Sequence, residues 1–491
     1  MNKRKRIVLL IAVTFSINLF GCDNKKEVQT KSAKLMESLS YAQQAEPVLQ
    51  TQQAEQSQEN LAEKAPEKLQ GIVDLSEYIE EILDNAKKEF IGGYLIDETF
   101  LMWVSQEYGE SAIRQLSETV KQEIQDKERW YQITGKSIHV LWTDYCLSTG
   151  FQSDMLKNIY WKECEDKSRV VLDFTGDINL SEGWSTTNYL DNQRSGITAC
   201  VSQSLRDEMR RADILMINNE FTYSTKGTAL EGKAYTFRAN PNRVSVIQEL
   251  GTDIVSVANN HVYDYGEDAL IDTLDTLEHG NIPYVGAGRN LDEAMKPVYF
   301  IANGRKIALV SATQIERSTN YTKEATSTSP GVLKSLNPDK FVSVIEETKN
   351  NCDMLIAFVH WGTEGTNHYG KDQNSLGKSF IDAGADAIIG GHPHCLQGFE
   401  YYKNKPIIYS LGNFWFNDDK LDTGVSQVVI HTQNNTMDFR FLPCIQENCQ
   451  TSLVEEDMEK QRILKFMEEI SAPGIKVDAD GNITDADEID R

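Results

Sequence analysis

Ala385-Asp386-Ala387-Ile388-Ile389-Gly390-Gly391-His392-Pro393-His394 reads as a short apolar strand that runs into two glycines and then two histidines one residue apart. A run of this length, bounded by glycine, fits a strand buried on both faces. In an extended tip, residues i and i+2 point the same way, so both imidazoles are expected to reach one point. The glycines leave room for close approach. A tip of this kind presents paired metal ligands at the mouth of a sheet.

Four other apolar runs end in polar residues of the same kind. Val170–Phe174 runs into Thr175-Gly176-Asp177-Ile178-Asn179, and Ile214–Ile217 into Asn218-Asn219-Glu220. Ile254–Val257 runs into Ala258-Asn259-Asn260-His261, and Met354–Val359 into His360-Trp361-Gly362. Helical patterns lie between them at Asn242–Leu250, Glu267–His279, Asp339–Lys349 and Gln373–Ala383. Alternation of strand and helix predicts an α/β fold. Hairpins are predicted as well: Val298–Ala302 and Lys306–Ala312 flank Asn303-Gly304, a type I′ turn signal. Gln427–Thr432 and Met437–Leu442 flank Asn434-Asn435. The sum is a β-sandwich with helices outside.

In α/β sheets, ligands bind beyond the carboxyl ends of strands, where these polar residues fall. Any one of them alone reads as a cap or turn residue. Five strand ends that all finish in Asp, Glu, Asn or His read as a site. Oxygen and imidazole donors without a thiolate suit Mn, Fe, Zn or Mg. Two such ions about 3.5–4 Å apart, bridged by a carboxylate, activate water and clamp an anionic oxygen. A histidine not committed to metal can protonate a leaving group.

The order of these elements, with Ala258-Asn259-Asn260-His261-Val262-Tyr263-Asp264-Tyr265-Gly266 and Tyr409-Ser410-Leu411-Gly412-Asn413-Phe414, resembles the CapA family of poly-γ-glutamate capsule proteins. That family is similar to calcineurin-like metallophosphoesterases, and the likeness covers about residues 170 to 442. It implies a metallophosphoesterase-like sandwich holding two divalent ions (Mn, Fe or Zn). Asp177 would hold one metal, Glu220 would bridge, and Asn260, His360 and His392 would bind the second. His394 would bind the first, and His261 would donate a proton or stabilise the transition state beside Asn260. Two positions depart from the superfamily pattern. Its Asp-x-His is Asp177-Ile178-Asn179 here, and its bridging Asp is Glu220.

Lys226, Lys233, Arg238 and Arg243 cluster after Glu220. They either hold substrate phosphate or carboxylates, with Lys233 and Arg238 foremost, or pair locally in the loop. Gly412, Asn413 and Phe414 read as scaffold beneath the site.

Around this core the chain divides into five parts. Residues 1–22 pair a basic start, Lys3-Arg4-Lys5-Arg6, with a short apolar stretch ending Leu19-Phe20-Gly21-Cys22. This resembles a bacterial lipobox with Cys22 as the lipidated residue, which implies an extracytoplasmic, membrane-anchored lipoprotein. Residues 23–70, rich in Gln, Glu, Ala, Lys and Ser, read as a flexible tether. Residues 71–165 form a helical extension. Ile79, Ile82, Leu83 and Ala86 share one face, as do Ile113, Leu116, Val120 and Ile124. Trp103, Trp130, Tyr131 and Trp142 read as its packing. Residues 166–445 carry the sandwich, and 446–491 a helix and an acidic tail whose Asp478-Ala479-Asp480-Gly481-Asn482 reads as an acidic turn. Export permits disulfides, and Cys444 and Cys449 are near enough in sequence to pair across a turn.

The 491 residues carry a formal net charge of −25, so bulk charge repels nucleic acid. The expected partners are an anionic polymer such as poly-γ-glutamate, the membrane through the lipid anchor, and membrane-embedded capsule synthase subunits. The expected activity is metal-assisted hydrolysis or transfer at a phosphoester or a polymer amide, in synthesis, export or anchoring of that polymer. The alternative is a non-catalytic, metal-dependent polymer-binding or transport component.

Overall fold

The computed structural model describes residues 75–86, 96–121, 128–150, 156–315 and 321–486. Cys22, the signal-like segment and the tether lie outside them, as does Ile124. None of the described helices is long and apolar enough to cross a membrane.

Two sheets face each other. The first runs Ile159–Lys162, Val298–Ala302, Arg305–Thr313, Met354–His360, Ala387–Gly391, Lys405–Leu411 and Leu396–Tyr402 in spatial order. The second runs Gln450–Leu453, Thr436–Glu447, Leu421–His431, Arg169–Ile178, Ile214–Asn219, Ile254–Ser256 and Tyr284–Val285, with Asn413–Trp415 paired aside onto Arg169–Ile178. Side chains alternate across each strand. Leu172, Phe174 and Met216 of the second sheet therefore meet Leu309, Phe358 and Ile389 of the first in one inner core. The opposite faces, such as Leu215 and Ile217 or Leu355 and Ala357, pack under helices. The fold is an α/β sandwich with helices outside, as the pattern predicted.

The helices Glu267–His279 and Asp339–Lys349 have the predicted limits. Both hairpins form in antiparallel register. Asn303 and Gly304 both have positive φ, as a type I′ turn requires. The helical segment has its own core, with Ile79, Ile82, Phe100, Leu101, Ile113, Leu116 and Trp130 buried together. It is fastened to the sandwich at that same turn. Tyr131 donates to the Asn303 carbonyl (2.9 Å), and Ser137 to Asp353 (2.6 Å). Arg305, fully buried, pairs with Glu128 under the Tyr131 ring.

Two expectations fail. The end of the stretch read as helical, Ile159–Lys162, is an edge strand parallel to Val298–Ala302. Cys444 and Cys449 do not pair, and all seven described cysteines are free thiols. Cys444 sits opposite Leu453 in the ladder, while Cys449 shares the left-handed turn at its tip with Asn448. The two lie several rungs apart. The acidic turn at Asp478 closes on itself, its carboxylate accepting the Asp480 and Asn482 amides (2.9 Å each).

One buried acid makes stability depend on pH. Asp173 points away from the inner core; Gln427 donates to one of its oxygens (3.0 Å), and the other has no partner. Burial, with Glu208 adding to it, pushes this carboxyl up to about 8. The native state therefore keeps a proton that the unfolded chain sheds above about pH 4, so stability falls as pH rises through that window. Asp173→Asn is expected to leave the urea midpoint unchanged near pH 4 and to raise stability by about 1–3 kcal/mol near pH 8. An equal effect at both values would assign the change to packing.

Candidate metal centre

Strand register brings the site together. Parallel pairing sets His360 beside Gly391, so His392 follows on the neighbouring strand. In the second sheet Ile178 pairs with Asn219, which brings Asp177 and Glu220 to the same rim. A bulge between Phe174 and Asp177 re-aims the aspartate. Gly176 permits it, because a Cβ there would lie 1.9 Å from the Gly412 carbonyl, which accepts the Asp177 amide (2.9 Å). Gly391 has the same role for the histidines, since a Cβ there would lie 2.9 Å from Asp177 Oδ1.

The histidine tip is not extended. His392 and His394 have φ of 99° and 57°, in the left-handed region that only glycine adopts freely. Such residues cost about 1–3 kcal/mol each and collect at functional sites. Their rings therefore do not meet at one point but serve two adjoining donor groups. Glu220, His360 and His392 form one, and Asp177, Glu220 and His394 the other, each with donor atoms within 4.8 Å of one another. Glu220 belongs to both.

In the first group His360 Nε2 lies 2.8 Å from Asn260 Oδ1, 3.1 Å from His392 Nδ1 and 3.3 Å from Glu220 Oε1. In the second, His394 Nδ1 lies 3.4 Å from Asp177 Oδ2 and 2.7 Å from Asn413 Oδ1. Asn218 donates to Asp177 Oδ1 (2.7 Å). Both Glu220 oxygens are buried without a hydrogen-bond partner. Burial and the neighbouring Asp177 push that carboxyl well above the usual range. Burial lowers His360 to about 3 and holds His392 well below its ordinary value, so both imidazoles stay neutral with lone pairs available. Burial alone would raise Asp177, but the bond from His394 holds it low. Neutral imidazoles around an unpartnered carboxylate suit a divalent cation.

His261 stands beside these groups in a turn shaped by Asn259, whose Oδ1 accepts the His261 (3.1 Å) and Val262 (3.0 Å) amides. Its Nδ1 lies 2.7 Å from Asp264 Oδ2. Asp264, fully buried, also accepts the Phe237 amide (2.7 Å) and pairs with Lys233 (2.6 Å). Lys233 also bonds the Asn260 carbonyl. Lys233 is thus buried behind the Asn260-His261 turn. Arg238 donates to the Lys226 (2.9 Å) and Gly227 (3.3 Å) carbonyls and lies over the Tyr265 ring. Arg243 pairs with Glu182 and Asp191, and Lys226 with Asp272. The local basic cluster is engaged within the protein.

Sequence reasoning gave no role to Asp264 or Asn218, and treated Asn413 as scaffold although it touches His394. Asp264 had a signal: it falls three residues after His261 within one turn. Asn179 directs its Oδ1 to the Ser181 amide (2.9 Å).

Residues 171–418, half of the chain, match the family model described as bacterial capsule synthesis protein PGA_cap. The chain belongs to this family. The PGA biosynthesis protein CapA of Bacillus subtilis strain 168 is 34% identical over 298 residues, 59% of this chain and 77% of that protein. The capsule biosynthesis protein CapA of Bacillus anthracis is 33% identical over 242 residues, 48% of this chain and 58% of that protein. The chain thus spans under two thirds of the Bacillus anthracis protein. Among solved structures, the 5′-nucleotidase of Candida albicans SC5314 is 11% identical with a TM-score of 0.32, over 58% of this chain and 53% of that one.

Proposed function

We propose that this PGA_cap member acts in synthesis, export or anchoring of poly-γ-glutamate or a related anionic capsule polymer, through a dinuclear metal site that supports hydrolysis or transfer. The observation that carries the metal reading is Glu220, shared by two donor groups and with neither oxygen bonded. Asp177 and His394 would hold one ion; Asn260, His360 and His392 the other. Bound there, the ions would supply Lewis acidity toward a phosphoester or amide oxygen. His261 Nε2 would donate the proton to the leaving group, with Nδ1 fixed by Asp264. The relatives' names supply the polymer. The resemblance of residues 1–22 to a lipoprotein leader supports an extracytoplasmic, membrane-anchored location near membrane-embedded synthase subunits.

A second reading is a non-catalytic, metal-dependent polymer-binding component. Asn179 favours it, because its Oδ1 is turned to backbone and it adds no second imidazole beside His394 at the first ion's site.

Mass-spectrometric metal content of wild type and His392→Ala tests the site. About two ions in wild type, fewer in the variant, are expected. One ion favours the binding component. None, after Mn or Zn is supplied, sinks the metal reading.

A further inference from the structure

The loop that follows His360 is tied to the His392-Pro393-His394 turn. The Gly365 amide donates to the Pro393 carbonyl (2.9 Å), and Asn367 to the Leu396 carbonyl (2.8 Å). Gln397 donates to the Thr366 carbonyl (2.9 Å) and accepts from Gln373 (2.8 Å). Glu364 occupies the free part of this loop. Its side chain is 63% exposed, and its Oε1 lies 3.9 Å from His392 Nε2. That nitrogen is the outer one, because Nδ1 of the same ring faces His360 and the Glu220 group.

We propose that Glu364 is a positioning residue of the metal site, accepting the Nε2–H of His392 so that Nδ1 keeps its lone pair for a cation. The inference rests on the metal reading above. A ligating histidine commonly gives its other N–H to a carboxylate, which fixes tautomer and ring orientation. At 3.9 Å the two atoms stand beyond hydrogen-bond distance, and closing the gap by about 1 Å makes a hydrogen bond. Three side-chain torsions and an exposed position allow that closure without moving the loop's backbone.

The test is titration of the full-length protein with Mn²⁺, read by calorimetry, for wild type, Glu364→Ala and Glu364→Gln. Glu364→Ala is expected to weaken Mn²⁺ binding about 10- to 100-fold with an unchanged melting temperature. Glu364→Gln keeps an acceptor oxygen and is expected to retain most of the affinity. Wild-type binding by Glu364→Ala overturns the inference alone. A loss in Glu364→Gln as large as in Glu364→Ala assigns the effect to charge and overturns the positioning role. No binding by wild type overturns the metal reading, and this inference with it.

Discussion

Glu220→Gln is expected to abolish metal uptake and, at the same time, to stabilise the metal-free protein. The two effects share a cause. Glu220 is fully buried, neither of its oxygens has a hydrogen-bond partner, and Asp177 stands next to it. A buried carboxylate without donors is costly unless a cation meets it. Its folded-state pKa lies well above the ordinary range, so the native metal-free protein holds a proton that the unfolded chain releases. The resulting penalty grows as pH rises past the unfolded value and is absent below it. Gln has nearly the same shape and no charge to bury. At neutral pH the metal-free variant should gain about 1–3 kcal/mol, seen as a melting temperature a few degrees higher. With metal supplied, wild type should gain by mass action and the variant should not, so the order of melting temperatures reverses. Metal-free Glu220→Gln less stable than wild type, or a variant still holding two ions, would show that Glu220 is an ordinary core residue.

Much of the fold was legible because its elements carry local signals. The helix Glu267–His279 is preceded by Gly266 and followed by Gly280, and its apolar positions repeat at helical spacing. The strands that bear the site are apolar runs closed by Asp, Asn or His, and five such endings on one rim were enough to indicate a site. Other features depend on contacts distant in sequence. Ile159–Lys162 is four residues long, and its partner, Val298–Ala302, comes far later in the chain. Nothing in the local pattern separates it from the helices before it. The left-handed backbone of His392 and His394 arises from close packing of Gly391 on Asp177 and of the Pro393 carbonyl on the Gly365 amide. Alternation alone gave the wrong geometry there. Asn413 reaches His394 because Asn413–Trp415 pairs with the strand of Asp177, a register that composition does not encode. The partners of the basic cluster after Glu220 were hidden for a related reason. Clustering in sequence says nothing about the carboxylates that other elements bring, and Asp264, Asp272, Glu182 and Asp191 engage three of its four members.

His261→Ala separates an enzyme from a binding protein. The imidazole is buried beside both donor groups but belongs to neither, so its removal should leave metal content unchanged. If His261 supplies the leaving-group proton, turnover should fall about 10²- to 10⁴-fold. Asp264→Asn should lower it as well, on the order of 10-fold or more, because the Asp264 carboxylate, 2.7 Å from Nδ1, supports the imidazolium whose Nε2–H is given to the leaving group. Asp264 also holds the Phe237 amide and Lys233, so its variant should lose stability, whereas His261→Ala should mainly lose rate. The assays are hydrolysis of bis(p-nitrophenyl) phosphate and cleavage of γ-glutamyl oligomers, with metal content measured on the same samples. Loss in His261→Ala for one substrate class only would name the bond that is broken. Wild type that holds metal but turns over neither substrate, with His261→Ala binding polymer equally well, would leave the polymer-binding component as the reading that fits. In that case the His261–Asp264–Lys233 chain holds the Asn260 loop in place, since Lys233 also bonds the Asn260 carbonyl.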